Sequence, residues 1–363
     1  KARMTAVRRA AAVVAVASLI HLVTKFRTED WQGLLRRSVG RRCPWQDLPF
    51  NPLNLFDVHC PSTPWVDVMV WADPSPDKIV IDVGCNKGED ALAWMERWDP
   101  SGSFWNHSAW VVAVAGQVGE AGWFDCPPNL EDTFDKVGDI PTDEKPQGVS
   151  QSPPVGICVE PMKANVDLLQ RTSQQLGYGT AGPHGAFHVV RAALSDHPSE
   201  SAAFPNAAVG TEDHGFGMGI IADPQKPEDF VKVSTVDHVV AEFHLPRVDI
   251  LHIDAEGHDP AVLRGANATL RRVRYLQFEV HRDLEGTEWA RISLKSVIDQ
   301  LDSLGFDCYW ASKSGALISI NHCWEDVWEW AGLSNVVCVK RYDPWWPILE
   351  HFAQPRAEGG DTP

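Results

Sequence analysis

The sequence predicts an α/β fold built on an open sheet. Three observations carry that expectation. Short apolar runs at residues 78–83, 156–160, 187–194, 248–253 and 274–281 have strand length. Helical patterns follow several of them, as in the Ala/Leu/Trp-rich stretch after Gly88 and at residues 163–169. Between the first run and its helix lies a glycine turn, Gly84-Cys85-Asn86-Lys87-Gly88. A strand, a tight glycine turn and a helix start form the place where such a sheet binds a nucleotide-like ligand.

The first unit, Lys78-Ile79-Val80-Ile81-Asp82-Val83, is apolar apart from Lys78 at its start and Asp82 near its end. A dinucleotide fold wants G-x-G-x-x-G, whose second glycine lets backbone approach a pyrophosphate. Here the spacing is G-x-x-x-G, Gly84 then Gly88, and Asn86 stands at the middle position. The sequence has no Walker motif. Asp82 and Glu89 flank the turn; they repel a polyphosphate and suit a ligand with positive charge. S-adenosylmethionine fits, since it carries a sulfonium and an ammonium and no phosphate. The glycines also suit a plain strand–helix turn.

The second unit, Gly156-Ile157-Cys158-Val159-Glu160, ends in an acid, and a helix opens after Pro161 and Met162. A carboxylate at this strand end can accept both ribose hydroxyls of an adenosine, and Met162 can pack on the adenine. The other reading of Glu160 is an acid favoured by a helix N-terminus. The third run ends at Ser195 and Asp196, placed to flank the adenine. The fourth presents Asp254, Glu256 and His258, with a helix from Pro260, and the fifth presents Glu279 and His281. Residues 291–304 read as a helix, and 306–311 and 335–340 as closing strands. Ligands of open α/β sheets bind at the carboxyl ends of strands, where these acids and histidines gather.

These blocks resemble a known family. Asp82-Val83-Gly84-Cys85-Asn86-Lys87-Gly88, Val159-Glu160-Pro161, Ala192-Ala193-Leu194-Ser195-Asp196, Val233-Ser234-Thr235-Val236-Asp237, Ile253-Asp254-Ala255-Glu256-Gly257-His258 and Gln277-Phe278-Glu279 are similar, in that order, to FkbM-type methyltransferases. The resemblance implies the class I methyltransferase fold, Rossmann-like, with a seven-stranded, mostly parallel sheet and helices on both faces. It implies O-methylation with S-adenosylmethionine, on a sugar or small-metabolite hydroxyl. His252 stands where members often carry Lys, and the connection between the first two strands is unusually long.

In-line methyl transfer needs an aligned oxygen and a proton acceptor. Asp254 and His258 are the candidate bases, with Glu279 and His281 a rival pair one strand over. Cofactor contacts are expected from Asp82, Gly84, Asn86, Gly88, Glu89, Glu160, Pro161, Met162, Ser195, Asp196 and Asp254. No metal is expected, because no C-x-x-C or His/Cys ligand cluster occurs. Two other classes compete: a binding or scaffold protein that keeps the fold without turnover, and a nicotinamide oxidoreductase, which Asn86 disfavours.

Composition narrows the partners. The chain has 363 residues and a net charge of −17, which argues against nucleic acid and for a small-molecule or glycan acceptor. The 16 Trp are read mainly as packing residues. Cys85, Cys158 and Cys338 read as buried thiols, and Cys43 and Cys60 as a pair if the compartment is oxidising.

The first 28 residues hold six Lys or Arg, no acid, and an apolar stretch from Ala10 to Val23. This reads first as a signal peptide or signal-anchor that brings the chain to a membrane of the secretory pathway, endoplasmic reticulum or Golgi. An organelle-targeting helix is second and a simple soluble helix third. Asn106-His107-Ser108 and Asn267-Ala268-Thr269 fit the glycosylation acceptor pattern. The expected organisation is a targeting segment (1–28), a Pro/Trp-rich extension (29–77), a methyltransferase domain (78–342) with an insertion at about 99–154, and a tail (343–363).

Overall fold

The computed structural model describes residues 61–99, 104–119, 154–179, 186–204, 206–211, 223–282, 286–321, 323–330 and 332–353. The readings made for residues 1–28, for Cys43 and Cys60, and for most of the insertion lie outside these residues. Among the described residues no helix is long and apolar enough to cross a membrane.

Helix α1 (Pro64–Ala72) precedes β1 (Ile79–Val83), α2 (Glu89–Arg97), α3 (His107–Val118), β2 (Val155–Glu160), α4 (Lys163–Leu176) and β3 (Phe187–Arg191). Then come β4 (Ala193–Leu194), β5 (Ser199–Ala203), β6 (Phe230–Ser234), α5 (Val236–Glu242), β7 (Val248–Ile253), α6 (Asp259–Arg264) and β8 (Val273–His281). Helix α7 (Leu294–Ser303), β9 (Phe306–Ala311), β10 (Leu317–Ser319), β11 (Leu333–Lys340) and α8 (Trp346–Phe352) complete the fold.

The main sheet has the order β10-β9-β11-β8-β7-β1-β2-β3. It is mostly parallel; β11 runs antiparallel to β8 and β9, and β10 antiparallel to β9. The expected class therefore holds, with one strand more than the expected seven. The extra strand is β10, folded back on β9 through a turn in which Gly315 has φ +78° and Gly315 N–H donates to Ser312 O. The third run also differs from expectation. It leaves the main sheet at Ala192, and Ala193 and Leu194 pair instead with Val233 and Ser234 in a small sheet of order β4-β6-β5.

Alternation along the strands builds two cores. Ile81, Val83, Ile157, Val159, Leu251 and Ile253 face one layer, with α5, α6 and α7. Val80, Cys158 and Ile250 face the other, with α1, α2, α3, α4 and α8. Trp65, Trp94, Trp98, Trp105, Trp110, Trp345 and Trp346 fill that second layer, in the packing role expected of most tryptophans, whereas Trp330 is exposed. Residues 343–353, read as tail from sequence, join this core: Trp345, Trp346, Ile348 and Leu349 are fully buried.

Cys85 and Cys158 form a disulfide, as do Cys308 and Cys338, which face each other across β9 and β11. The reading of Cys85, Cys158 and Cys338 as buried thiols is corrected. Burial was right, but adjacent strands bring each sulfur against a partner that one-dimensional spacing does not reveal.

Candidate active site

The chain reverses its direction of sheet growth between β1 and β7, with β2 and β3 on one side and β8 on the other. That switch point leaves a crevice at the carboxyl ends of β1 and β7, and the candidate residues gather around it.

The glycine turn closes over this end. Gly84 and Gly88 have φ +83° and +81°, and Asn86 takes the left-handed region at +44°. A β-carbon on Gly84 would lie 1.6 Å from Asp254 O, and one on Gly88 would meet Leu169 and Trp110 at 2.7 and 2.8 Å. Both glycines are therefore demanded by backbone conformation and by close approach. Ladder bonds extend into the turn: Gly84 N–H donates to Val159 O and Asp254 N–H to Val83 O, each at 2.9 Å.

Glu160 holds the turn from the next strand. Its Oε2 accepts from Asn86 N–H at 2.9 Å and its Oε1 from Met162 N–H at 2.7 Å. Burial pushes this carboxyl up to about 7, against the lowering effect of the bonds from Met162 and Asn86. Asn165 Nδ2 donates to Asn86 Oδ1 at 3.1 Å and adds a further tie. Pro161 links Glu160 to Met162, the N-cap residue of α4. Met162 is buried with Ala193, Phe204 and Val231, packed against the small sheet.

Asp82 and His252 are register partners on β1 and β7. His252 Nδ1 lies 2.8 Å from Asp82 Oδ1, and both side chains are buried. Burial alone would lower the imidazole, but the bond and charge of Asp82 outweigh it and raise His252 to about 9. Asp82 Oδ2 is buried and has no hydrogen-bond partner. Glu89 opens α2, with its Oε1 3.6 Å from His107 Nε2, and burial raises its carboxyl.

The four candidate bases fall into two places. His258 Nε2 lies 3.0 Å from Ser195 Oγ, and burial lowers its imidazole. Next to Ser195, Asp196 is engaged by Arg264, which also binds Glu288 at 2.9 Å. Burial would raise Asp196, but bonds from His197 and Arg264 overcome it and hold the carboxyl down at about 2. Ser195, Asp196 and His258 thus form a linked group at the ends of β4 and α6.

Asp254, Glu279 and His281 form the other place, joined by Glu256. Burial raises Asp254 well above the usual carboxylate range, and the charges of Glu279 and Glu256 add to it. His281 Nδ1 stands 3.3 Å from Glu256 Oε2 and 3.4 Å from Glu279 Oε2. Burial would lower His281, but these two carboxylates outweigh it and raise it to about 10. Glu256 has a left-handed backbone, φ +49°, ahead of Gly257 at +83°.

Three residues here were given no role from the sequence. Glu256 was visible in the D-x-E-G-H block, but nothing in the spacing tied it to β8. Asp259 opens α6, is fully buried, and was not singled out in the sequence. Asn165 lay inside a helix with no signal of its own.

The residues around the turn fit S-adenosylmethionine: an orphaned buried oxygen on Asp82, a turn that tolerates no β-carbon at Gly84 or Gly88, and a carboxylate at the second strand's end. Residues 146–308 match the family model of the methyltransferase FkbM domain. The match begins after β1 and the glycine turn. No curated protein matches the chain. Among solved structures the chain is similar to a methyltransferase FkbM from Methylobacillus flagellatus KT, with 10% identity, a TM-score of 0.36, and coverage of 77% of this chain. The chain spans 48% of that protein's length. It is also similar to a precorrin 8W decarboxylase from Methanobacterium thermoautotrophicum, with 11% identity, a TM-score of 0.28, and coverage of 80% of this chain and 94% of that one. The similarity to the methyltransferase FkbM domain thus covers residues 146–308 of this chain.

Proposed function

We propose that this protein is an S-adenosylmethionine-dependent methyltransferase acting on a hydroxyl oxygen of a sugar or small metabolite. The observation that carries the reading is the closure of the glycine turn over the switch point. Asn86 N–H donates to Glu160 there, and Gly84 lies against Asp254. Asp82, Gly84, Asn86, Gly88 and Glu160 are the residues that would hold the cofactor, which supplies an electrophilic methyl on a sulfonium. Asp82 Oδ2, buried and unpartnered, suits a cationic group. Glu160 keeps lone pairs beyond those used by Asn86 and Met162, and these suit a ribose diol. His258, held by Ser195, and the Asp254–Glu279–His281 group stand as the two places from which a proton acceptor acts.

The disulfides Cys85–Cys158 and Cys308–Cys338 support an oxidising compartment, and with the basic, apolar N-terminal segment they favour the secretory pathway. The test of function is incubation of the full chain with methyl-labelled S-adenosylmethionine and a panel of sugar and small-metabolite alcohols. Label transferred to a hydroxyl supports the reading. Calorimetric binding of the cofactor without transfer to any acceptor favours a scaffold that has lost turnover.

A further inference from the structure

Glu256, Glu279 and His281 each bring one ligand atom within 4.8 Å of the others. Glu279 and His281 lie two residues apart on β8, so they share one face of the strand. Glu256 is turned toward them by the left-handed backbone after β7. His281 Nδ1 is buried with no hydrogen-bond partner, although both carboxylates stand near it.

Two further carboxyls beside this cluster are buried and have oxygens without a hydrogen-bond partner. Asp259 is 0% exposed, and neither of its oxygens has a hydrogen-bond partner. Glu279 is the charged neighbour that acts on it most strongly. Asp254 Oδ1 is also buried without a partner, and Glu279 and Glu256 head its charged neighbours. Asp254 and Asp259 are thus charged neighbours of Glu256 and Glu279, the two carboxylates that flank His281. Buried carboxyls stay neutral unless a paired charge or a metal compensates their ionised form.

We propose that Glu256, Glu279 and His281 bind a divalent transition-metal cation of the Mn²⁺ type, beside Asp254 at the crevice. Two carboxylates with one imidazole suit such an ion better than Mg²⁺ or Ca²⁺, which favour all-oxygen sites. Three protein ligands leave positions open for oxygen donors from outside. An acceptor hydroxyl bound there would be held in place and made more acidic. That role rests on the methyl-transfer reading, whereas the cation site stands without it. The sequence does not show the site because its ligands come from the turn after β7 and from β8, and contain no Cys or paired-His motif.

The test titrates MnCl₂ into the metal-stripped full chain without cofactor, following free Mn²⁺ by electron paramagnetic resonance. The site predicts one saturable class of binding, weakened about tenfold or more in Glu279→Gln and in His281→Gln. The exposed control Asp299→Asn binds as the wild type does. Pulsed resonance on the wild-type complex keeps the idea testable should the variants fail to fold; it predicts coupling of bound Mn²⁺ to an imidazole nitrogen. Absence of saturable binding, absence of nitrogen coupling, or unchanged affinity in both folded variants overturns the site. Cofactor affinity measured on the same samples separates the two readings. Cofactor binding without Mn²⁺ binding removes only the cation site, and Mn²⁺ binding without cofactor binding removes only the methyl-transfer reading.

Discussion

Gly84 approaches Asp254 so closely that a β-carbon on the glycine would lie 1.6 Å from the aspartate's carbonyl oxygen. The contact is backbone on backbone, between the turn after β1 and the end of β7. It holds the turn against the strand end at which the acids gather.

Gly84→Ala therefore has no side-chain movement to relieve it. The variant adds a left-handed alanine, φ +83°, to a clash with a strand that is bonded on both sides. We expect a loss of about 2 kcal/mol or more in urea unfolding and loss of S-adenosylmethionine binding by calorimetry. Wild-type stability together with wild-type affinity contradicts the role given to this contact.

Asp82→Ala is expected to abolish cofactor binding. It removes the orphaned Oδ2 and strands His252, whose partner is Asp82 Oδ1 at 2.8 Å. Breaking a buried pair from one side costs about 3–5 kcal/mol, so circular dichroism must accompany the calorimetry. A folded variant with unchanged affinity sinks the assignment.

Glu160 predicts opposite pH trends for stability and binding. Burial raises its folded value to about 7 from the unfolded 4.5. A raised folded value contributes stability that is fully present below 4.5 and lost as pH rises through about 7. Glu160→Gln removes that dependence, so the variant gains stability relative to wild type above pH 7. A ribose diol donates to the ionised form, so wild-type cofactor affinity rises with pH through about 7. In Glu160→Gln it is flat and about tenfold weaker. Calorimetry on either side of neutrality, beside thermal melts, reads both; parallel titrations in wild type and variant refute the ribose role.

The disulfides give a stability prediction. Cys85–Cys158 spans 73 residues and Cys308–Cys338 spans 30. Loop-closure entropy assigns about 4 kcal/mol to each. Melts of the Cys85→Ser/Cys158→Ser variant should show a lower midpoint and weaker cofactor binding, because this bond ties the glycine turn to β2. A matched Cys308→Ser/Cys338→Ser variant should lower the midpoint with little effect on the cofactor. Equal cofactor effects in the two variants contradict the local role of the first bond.

Much of the fold was legible in the sequence because its signals are local. Apolar runs, the helix starts after Gly88 and Met162, and the closing strands depend on neighbours a few residues apart. The acids at the ends of β1, β2, β7 and β8 were legible for the same reason. Strand β10 was not, since a three-residue edge strand exists only by pairing with β9. The split of the third run was also hidden. Nothing local distinguishes Val190 beside β2 from Leu194 beside β6.

The sequence by itself determined the alternation of strands and helices, the glycine spacing that disfavours a pyrophosphate, and the set of acids and histidines at the strand ends. Only the tertiary structure decided which of those side chains meet. It joined Asp82 to His252, Glu160 to the turn, His258 to Ser195, and His281 to Glu256 and Glu279. It also turned thiols into disulfides and a tail into core. The physical reason is range: backbone preference and hydrophobic period act over a few residues, whereas strand order and register bring together groups far apart in the chain.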